Sequence, residues 1–363
     1  MYSNRLESCF VFNVSFPRPT LLKAYVSQSN RPLEEHSTRS SYHQYNECDF
    51  VMSQLRWNSM LGEWVIVTPK RADRPFQEQA KECPFCPGQS ETEGEWDVLT
   101  LDNKYAALQA EQQPIDIDHE LVIGAPAHGF CKVIIQSRDH NEQFENMKDS
   151  QLNKVMGEYL RVTEELQEQR GVEYIMLFEN RGKAIGVSLN HPHSQVYALP
   201  FVPPRVEREL TQFKKHRQKY GNCLLCETIE NEMKSKERII REEDDFISLV
   251  PYGARLPYEV HIYPRNHISN LLELKGSLQQ LGSMIRDVTR RYSNVFQETA
   301  YVMVFHDSPS NGKRKDWHFH VEFYPPWRDS SRRKYIAGIE QGGWTYTNDS
   351  SPEEKAKELR MAL

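Results

Sequence analysis

The sequence repeats one set of chemistry-bearing residues, and this repeat constrains the fold more than any other feature. A Cys-x-x-Cys pair at Cys83 and Cys86 recurs at Cys223 and Cys226, an offset of 140 residues. A lone histidine and a His-x-His pair follow each cysteine pair, and both recur at an offset of 127 residues. They are His140 with His191 and His193 in the first copy, and His267 with His318 and His320 in the second. Three elements repeated in one order indicate a duplicated unit.

A long amphipathic segment separates the lone histidine from the histidine pair in each copy. Apolar residues at three-and-four spacing predict helices over 149–170 and 277–297, and Ser351-Pro352 with Glu354 is typical of a helix start. Runs rich in β-branched and aromatic residues predict strands at 64–67, 119–123, 131–136, 173–179, 194–199, 245–250, 257–263, 300–306 and 317–324. The pattern favours an α+β fold with a mostly antiparallel sheet and helices packed on it.

Composition excludes several classes of protein. The 363 residues carry 45 Lys+Arg and 51 Asp+Glu, a net charge of −6, which disfavours nucleic acid as a partner. The longest apolar runs fall far short of the roughly 20 residues that span a bilayer, so no membrane association is expected. Four of the seven cysteines form the two Cys-x-x-Cys pairs, a use of cysteine that indicates a reducing compartment and the cytoplasm.

The chain is predicted to have three parts. Residues 1–51 mix polar and charged residues without an apolar signal segment, and we interpret them as a poorly ordered extension, with Met52 as a possible true start. Residues 52–203 and 204–363 each hold one copy of the repeat. The stiff, proline-rich stretch from Pro200 to Arg208 favours a boundary there.

Each copy of the repeat has the ligands of a tetrahedral zinc site. Thiolates and imidazoles fill closed structural sites of this kind, and a Cys-x-x-Cys turn presents two sulfurs to one point. We therefore predict two zinc ions per chain, each holding distant segments together. The ligand sets are Cys83, Cys86, His140 and His191, and Cys223, Cys226, His267 and His318. The alternative is that these are core thiols and satisfied polar histidines.

His193 is the candidate nucleophile. If His191 binds zinc, His193 lies on the same side of an extended strand two residues on, beside the metal. An imidazole that donates one ring N–H to a backbone carbonyl presents the other nitrogen for attack on phosphorus. Gln195 shares that face and would donate an amide N–H to a phosphate oxygen. The alternative is a metal site that binds both histidines.

The motifs around these residues resemble the galactose-1-phosphate uridylyltransferase family of the histidine-triad superfamily. The resemblance runs from about Arg56 to the C-terminus. It rests on Trp64-Val-Ile-Val-Thr-Pro-Lys-Arg71-Ala-Asp-Arg74, Cys83-Pro-Phe-Cys86, Phe178-Glu-Asn-Arg-Gly182, Gly186-Val-Ser188-Leu-Asn-His191-Pro-His193-Ser-Gln195 and Trp317-His-Phe-His-Val-Glu-Phe-Tyr-Pro-Pro326. It implies an α+β fold of two fused histidine-triad-like halves.

The resemblance also implies an activity and its residues. Uridylyl transfer from UDP-glucose to galactose 1-phosphate would pass through His193, with Gln195 holding a phosphoryl oxygen. A homodimer is implied, in which Arg71 and Arg74 form a phosphate clamp supplied by the neighbouring subunit. The remaining implied substrate contacts are Asn103, Asn180, Gly186 and Ser188 on the nucleotide and Lys334 and Glu340 on the hexose.

Three departures from the family pattern keep alternatives open. Ile339 stands where some members have tyrosine, and Ser194 also occurs in relatives that act on adenine sugar nucleotides. Some members use one Glu and three His at a second metal site, where this chain has Glu322 in place of one His. The alternatives are an adenylyl-transferring sugar-nucleotide phosphorylase of the ADP-glucose type and a zinc-stabilised binding protein without turnover. The sequence leaves the donor, the hexose and the second metal undetermined.

Overall fold

The computed structural model describes residues 53–69, 83–111, 122–187, 189–309 and 315–363. The predicted extension 1–51, Arg71, Arg74, Ser188 and part of the predicted strand 119–123 lie outside these residues. The strands are β1 (Gln54–Asn58), β2 (Glu63–Val67), β3 (Leu99–Asp102), β4 (Gly124–Pro126), β5 (Phe130–Ile135), β6 (Tyr174–Arg181), β7 (His193–Leu199), β8 (Ile239–Glu242), β9 (Phe246–Leu249), β10 (Val260–Pro264), β11 (Tyr301–His306) and β12 (His320–Tyr324). The α-helices are α1 (Asp149–Gln167), α2 (Pro204–Tyr220), α3 (Leu224–Ser235), α4 (Leu278–Val295), α5 (Gly338–Gly343) and α6 (Pro352–Arg360).

Nine strands form one antiparallel sheet in the order β3-β5-β7-β6-β11-β12-β10-β9-β8. The order shows the repeat, because β5, β6 and β7 of the first half match β10, β11 and β12 of the second. The equivalent strands β6 and β11 pair with each other, with Tyr301 opposite Arg181 and Val304 opposite Phe178. This pairing joins two half-sheets into one sheet and confirms the predicted fold of two fused halves.

The amphipathic helices α1 and α4 pack against the sheet and against each other. Both bury one apolar stripe, which includes Leu152 and Met156 of α1 and Ile285 of α4. Gly282 allows close approach, since a Cβ there would lie 3.0 Å from Leu152 Cγ and 3.1 Å from Met156 Cγ. The predicted helices 149–170 and 277–297 are therefore confirmed as the layer that covers the sheet.

Three helices, α2, α3 and α5, were not predicted from the sequence. Helix α2 begins at Pro204, inside the stretch interpreted as a boundary, and α3 begins one residue after Cys223. The last helix, α6, starts as predicted: Ser351 caps it by accepting a hydrogen bond from the Glu354 N–H, with Pro352 at the first helical position. None of the helices among the described residues is long and apolar enough to cross a membrane.

Candidate active site and metal clusters

The four predicted ligands of the first half converge on one point. The ligand atoms of Cys83, Cys86, His140 and His191 all lie within 4.8 Å of one another. Distances from cysteine Sγ to histidine Nδ1 are 3.5 to 3.7 Å. A tetrahedral zinc ion with Zn–S of about 2.3 Å and Zn–N of about 2.0 Å sets these atoms about 3.5 Å apart. The donor set therefore fits zinc in both chemistry and spacing.

His191 is held in the tautomer that a metal needs. Its Nε2–H donates to the Ser137 carbonyl at 2.8 Å, so Nδ1 faces the two sulfurs. Burial lowers the pKa of His191, which favours the neutral imidazole. A backbone carbonyl that orients a ligating histidine through its second nitrogen is typical of metal sites.

The second half repeats this geometry. The ligand atoms of Cys223, Cys226, His267 and His318 lie within 4.8 Å of one another, with Sγ to Nδ1 distances of 3.5 to 3.6 Å. His318 donates Nε2–H to the Pro264 carbonyl at 2.9 Å. Hydrogen bonding from Cys226, with a further contribution from His318, lowers the pKa of the Cys223 thiol to about 3, so this sulfur is ready to bind a cation.

His193 begins β7, opposite Ile135 of β5. Its Nδ1–H donates to the His191 carbonyl at 2.8 Å, which fixes the tautomer and places the lone pair on Nε2. Phe85, inside the first Cys-x-x-Cys turn, packs edge-on against the His193 ring with centroids 5.2 Å apart. The first Cys₂His₂ group and its turn therefore support the orientation of His193 through one carbonyl and one aromatic ring.

Gln195 is brought together with Asn103. It is buried on β7, opposite Val133 of β5 and Phe178 of β6. The Asn103 amide donates to Gln195 Oε1 at 3.5 Å, and Asn103 is itself fixed because its own side-chain oxygen accepts from the Tyr105 N–H at 2.9 Å. With its oxygen engaged by Asn103, the Gln195 amide keeps N–H groups to donate to a phosphate oxygen.

A cavity of about 360 Å³ lies beside His193. Asn180 lines the cavity, and its predicted contact with the nucleotide stays a prediction. Gly186 is not among the described lining residues; it caps a short 3₁₀ turn with a φ of +78°, which glycine adopts without strain. Further lining residues that the sequence analysis did not single out are Gln143, Arg181, Lys183, Glu298 and Thr299. Arg181 and Lys183 had a usable signal, because Arg181 lies within the Phe178-to-Gly182 motif and Lys183 follows it directly.

Ser194 points away from His193 and Gln195, since side chains alternate along a strand. Its hydroxyl is buried, donates to Glu179 Oε2 at 3.2 Å and lies 2.5 Å from the Tyr159 hydroxyl. Burial raises the pKa of Glu179, which also accepts from the Tyr301 hydroxyl at 2.8 Å. This polar network anchors β7 beneath the reactive strand face.

Lys334 and Glu340 contact each other. Lys334 Nζ lies 3.1 Å from Glu340 Oε1, and Glu340 is buried while it also accepts from the Thr347 hydroxyl at 2.6 Å. Neither belongs to the described lining of the cavity beside His193. A hexose contact by this pair stays a prediction.

A third polar cluster includes Glu322, which the resemblance places at a metal-ligand position of some family members, but its other three residues were not predicted as a site. The ligand-type atoms of Glu209, His306, His320 and Glu322 lie within 4.8 Å of one another. The repeat could have indicated it, because His320 and Glu322 stand 127 residues after His193 and Gln195. Glu209 lies on the helix α2 that the sequence analysis missed.

Comparison with known proteins identifies the family. Residues 43–203 match the N-terminal domain of galactose-1-phosphate uridyl transferase, and residues 209–363 match its C-terminal domain. The chain belongs to the galactose-1-phosphate uridyl transferase family. It is similar to a galactose-1-phosphate uridylyltransferase of Thermotoga maritima, at 38% identity over 85% of this chain and 98% of the relative.

Solved structures agree with this family. A structure described as a uridylyltransferase is 33% identical with a TM-score of 0.78, over 85% of this chain and 98% of that chain. An ADP-glucose phosphorylase from Arabidopsis thaliana with bound ADP-glucose is 26% identical with a TM-score of 0.67, over the same shares of the two chains. The two matched family domains together include all nine strands of the large sheet.

Proposed function

We propose that this chain transfers a uridylyl group from UDP-glucose to galactose 1-phosphate through a covalent uridylyl-His193 intermediate. The observation that carries the proposal is the 2.8 Å hydrogen bond from His193 Nδ1–H to the His191 carbonyl, beside a cavity large enough for a substrate. The similarity to proteins named galactose-1-phosphate uridylyltransferase supports the choice of donor and acceptor. The chain is a nucleotidyltransferase by family.

The reaction takes two displacements. His193 Nε2 attacks the α-phosphorus of UDP-glucose, the bond from that phosphorus to the bridging oxygen breaks, and glucose 1-phosphate leaves with the electron pair. A phosphate oxygen of galactose 1-phosphate then attacks the same phosphorus, and the P–N bond to His193 breaks to give UDP-galactose. Gln195 would donate to a non-bridging oxygen in both steps, as an amide held by Asn103.

The two Cys₂His₂ clusters are proposed to hold one zinc ion each. Their spacing and donor chemistry fit zinc, and a closed set of four protein ligands gives it a structural role. The five described cysteines form no disulfide, which suits the reducing, cytoplasmic environment that we propose. In each half, zinc would tie a Cys-x-x-Cys turn to the loop and strand that carry its histidines.

The active unit is proposed to be a homodimer with shared sites. Arg71 and Arg74 would reach the phosphates of the neighbouring subunit, with Ser188 and Asn180 on the nucleotide within the same chain. The segment around α5 exposes large apolar side chains, among them Tyr335, Ile339 and Trp344. Such a surface favours a protein partner, and a second copy would cover it.

A donor comparison tests the function. Purified protein with UDP-glucose and galactose 1-phosphate should release glucose 1-phosphate with ping-pong kinetics, and His193→Ala should abolish release. ADP-glucose is the matched donor, because a structural relative binds it. Turnover with ADP-glucose and inorganic phosphate, but not with UDP-glucose, would replace the proposal by the adenylyl-transferring alternative.

A further inference from the structure

The second half repeats the geometry of His193 at a place where no nucleotide fits. His320 donates Nδ1–H to the His318 carbonyl at 3.0 Å, as His193 does to the His191 carbonyl at 2.8 Å. Yet His320 is buried, and its Nε2 faces Glu322 Oε1 at 3.4 Å and Glu209 Oε2 at 3.9 Å. These two carboxylates lie where a phosphate would approach, and they would repel its negative charge. His320, the counterpart of His193, therefore faces a site that suits a cation.

The carboxylates of this cluster already have cationic partners within the chain. Arg205, at the start of α2, donates from Nε to Glu209 Oε1 at 2.9 Å and from Nη2 to Glu322 Oε2. His306 lies between the same two acids, with Nδ1 3.0 Å from Glu209 Oε2 and Nε2 3.1 Å from Glu322 Oε2. Both nitrogens of His306 thus meet carboxylates, and an imidazolium can donate a hydrogen bond to each of them.

We propose that Glu209, His306, His320 and Glu322 form a cation site whose resident cation is the guanidinium of Arg205. Arg205 and protonated His306 balance the two carboxylates, so the buried cluster is neutral without a metal. Its outer neighbours are also paired: His261 lies 3.3 Å from Glu322 and 2.9 Å from Glu259, and Glu259 faces Arg255 at 3.9 Å. The Arg205 guanidinium also stacks over Tyr324 at 5.2 Å, which fixes it in place.

The positive charge of Arg205 indicates which ligands could replace it at this site, namely cations. Without its guanidinium, two acids and two imidazoles within 4.8 Å would be the oxygen and nitrogen donors that a divalent transition metal prefers. Arg205→Met keeps an unbranched apolar stem and removes the guanidinium and its charge. This variant should bind one divalent cation that the wild-type chain does not bind.

Metal counting tests the proposal. The test uses four full-length proteins: wild type, Arg205→Met, Arg205→Lys and Arg208→Met. Each is incubated with excess Zn²⁺ or Mn²⁺, exchanged into metal-free buffer and analysed by elemental mass spectrometry. Arg205→Met should hold one metal ion per chain more than the other three proteins. Arg205→Lys keeps a charge, and Arg208 is an exposed control on the same helix whose guanidinium stacks on Trp344.

Two results would overturn the proposal. One is a folded Arg205→Met protein with the wild-type metal count. The other does not depend on that variant: if His306→Gln removes one metal ion from the wild-type count, the cluster holds a metal and Arg205 is not its cation. The measured quantity is the difference in metal count between variants. It therefore does not depend on how many zinc ions the Cys₂His₂ clusters hold or on whether the proposed activity is correct.

Discussion

At the scale of single residues, hydrogen bonds decide what each histidine does. His191 and His193 are two residues apart, yet His191 donates from Nε2 and His193 donates from Nδ1. His191 therefore turns Nδ1 toward two thiols, and His193 has its lone pair on Nε2, the atom proposed to attack phosphorus. The sequence could predict this difference only as a consequence of metal binding, because the two carbonyl partners depend on the path of the backbone.

His306 predicts a loss of stability in mildly alkaline solution. Burial alone would lower the pKa of His306, but the carboxylates of Glu322 and Glu209 outweigh it and raise the pKa from 6.5 to about 9. Because the folded pKa is the higher one, the stabilisation is complete below about pH 6.5 and is lost as the pH rises through 9. The difference corresponds to about 3 kcal/mol in the free energy of unfolding.

Urea unfolding at pH 7 and pH 9.5 measures this loss. His306→Gln cannot hold the proton, so its free energy of unfolding should change less between the two pH values than that of the wild type. His216→Gln changes a histidine on α2 outside the cluster and should keep the wild-type difference. Equal pH dependence in wild type and His306→Gln would refute the assignment of the proton to His306.

At the scale of elements, each proposed zinc ion would tie a Cys-x-x-Cys segment to the sheet. Cys223 lies at the N-terminus of α3, and its partners His267 and His318 follow β10 and precede β12. Loss of the ion from this cluster should free α3 from the sheet edge. The proposed nucleophile, His193, lies in the other half, so metal loss should lower stability before it lowers the rate of the chemical step.

Cys223→Ser should therefore lose one zinc ion per chain and unfold at a lower temperature. A loss of about 3 kcal/mol corresponds to a decrease of roughly 5–10 °C in Tm. Cys131→Ser is the matched control, because Cys131 is buried in β5 outside both clusters. Zinc content is measured by elemental analysis and Tm by calorimetry on the same sample. An unchanged zinc content in Cys223→Ser would refute the proposal of a second zinc site.

The sequence predicted the repeated elements well and the link between the halves poorly. Helices α1 and α4 have wide apolar stripes, so their periodicity was visible. Helix α2 has few apolar residues in a run of charged ones, and Pro203-Pro204 read as a break although proline also starts helices. The Arg205 cluster was missed with it, because Arg205 and Glu209 reach β12 only through the packing of that helix.

At the scale of the whole molecule, the two halves have the same plan and different chemistry. The equivalent strands β6 and β11 meet at the centre of the sheet, so both His-x-His pairs occupy matching positions on either side. One position faces the cavity that His193 lines, and the other faces the buried acids Glu209 and Glu322. The proposed function therefore needs one nucleophile per chain, His193, and two in the proposed dimer.

Mixed dimers test whether the sites are shared. His193→Ala and Arg74→Ala chains should each be inactive, but coexpression should give heterodimers in which one of the two sites keeps both residues. If chains associate at random, about a quarter of the wild-type activity should return. No activity in heterodimers verified by two affinity tags would show that each chain supplies its own Arg74.

The central claim is that His193 alone carries the nucleotidyl group. The most direct measurement is intact mass spectrometry after incubation with UDP-glucose and no acceptor, together with zinc analysis of the same samples. The wild type should gain the mass of one uridylyl group per chain and lose it when galactose 1-phosphate is added. His193→Gly should keep its zinc and gain no mass, because Nε2 of this residue forms the P–N bond. An adduct on His193→Gly, or capture of an adenylyl group from ADP-glucose in place of the uridylyl group, would contradict the account.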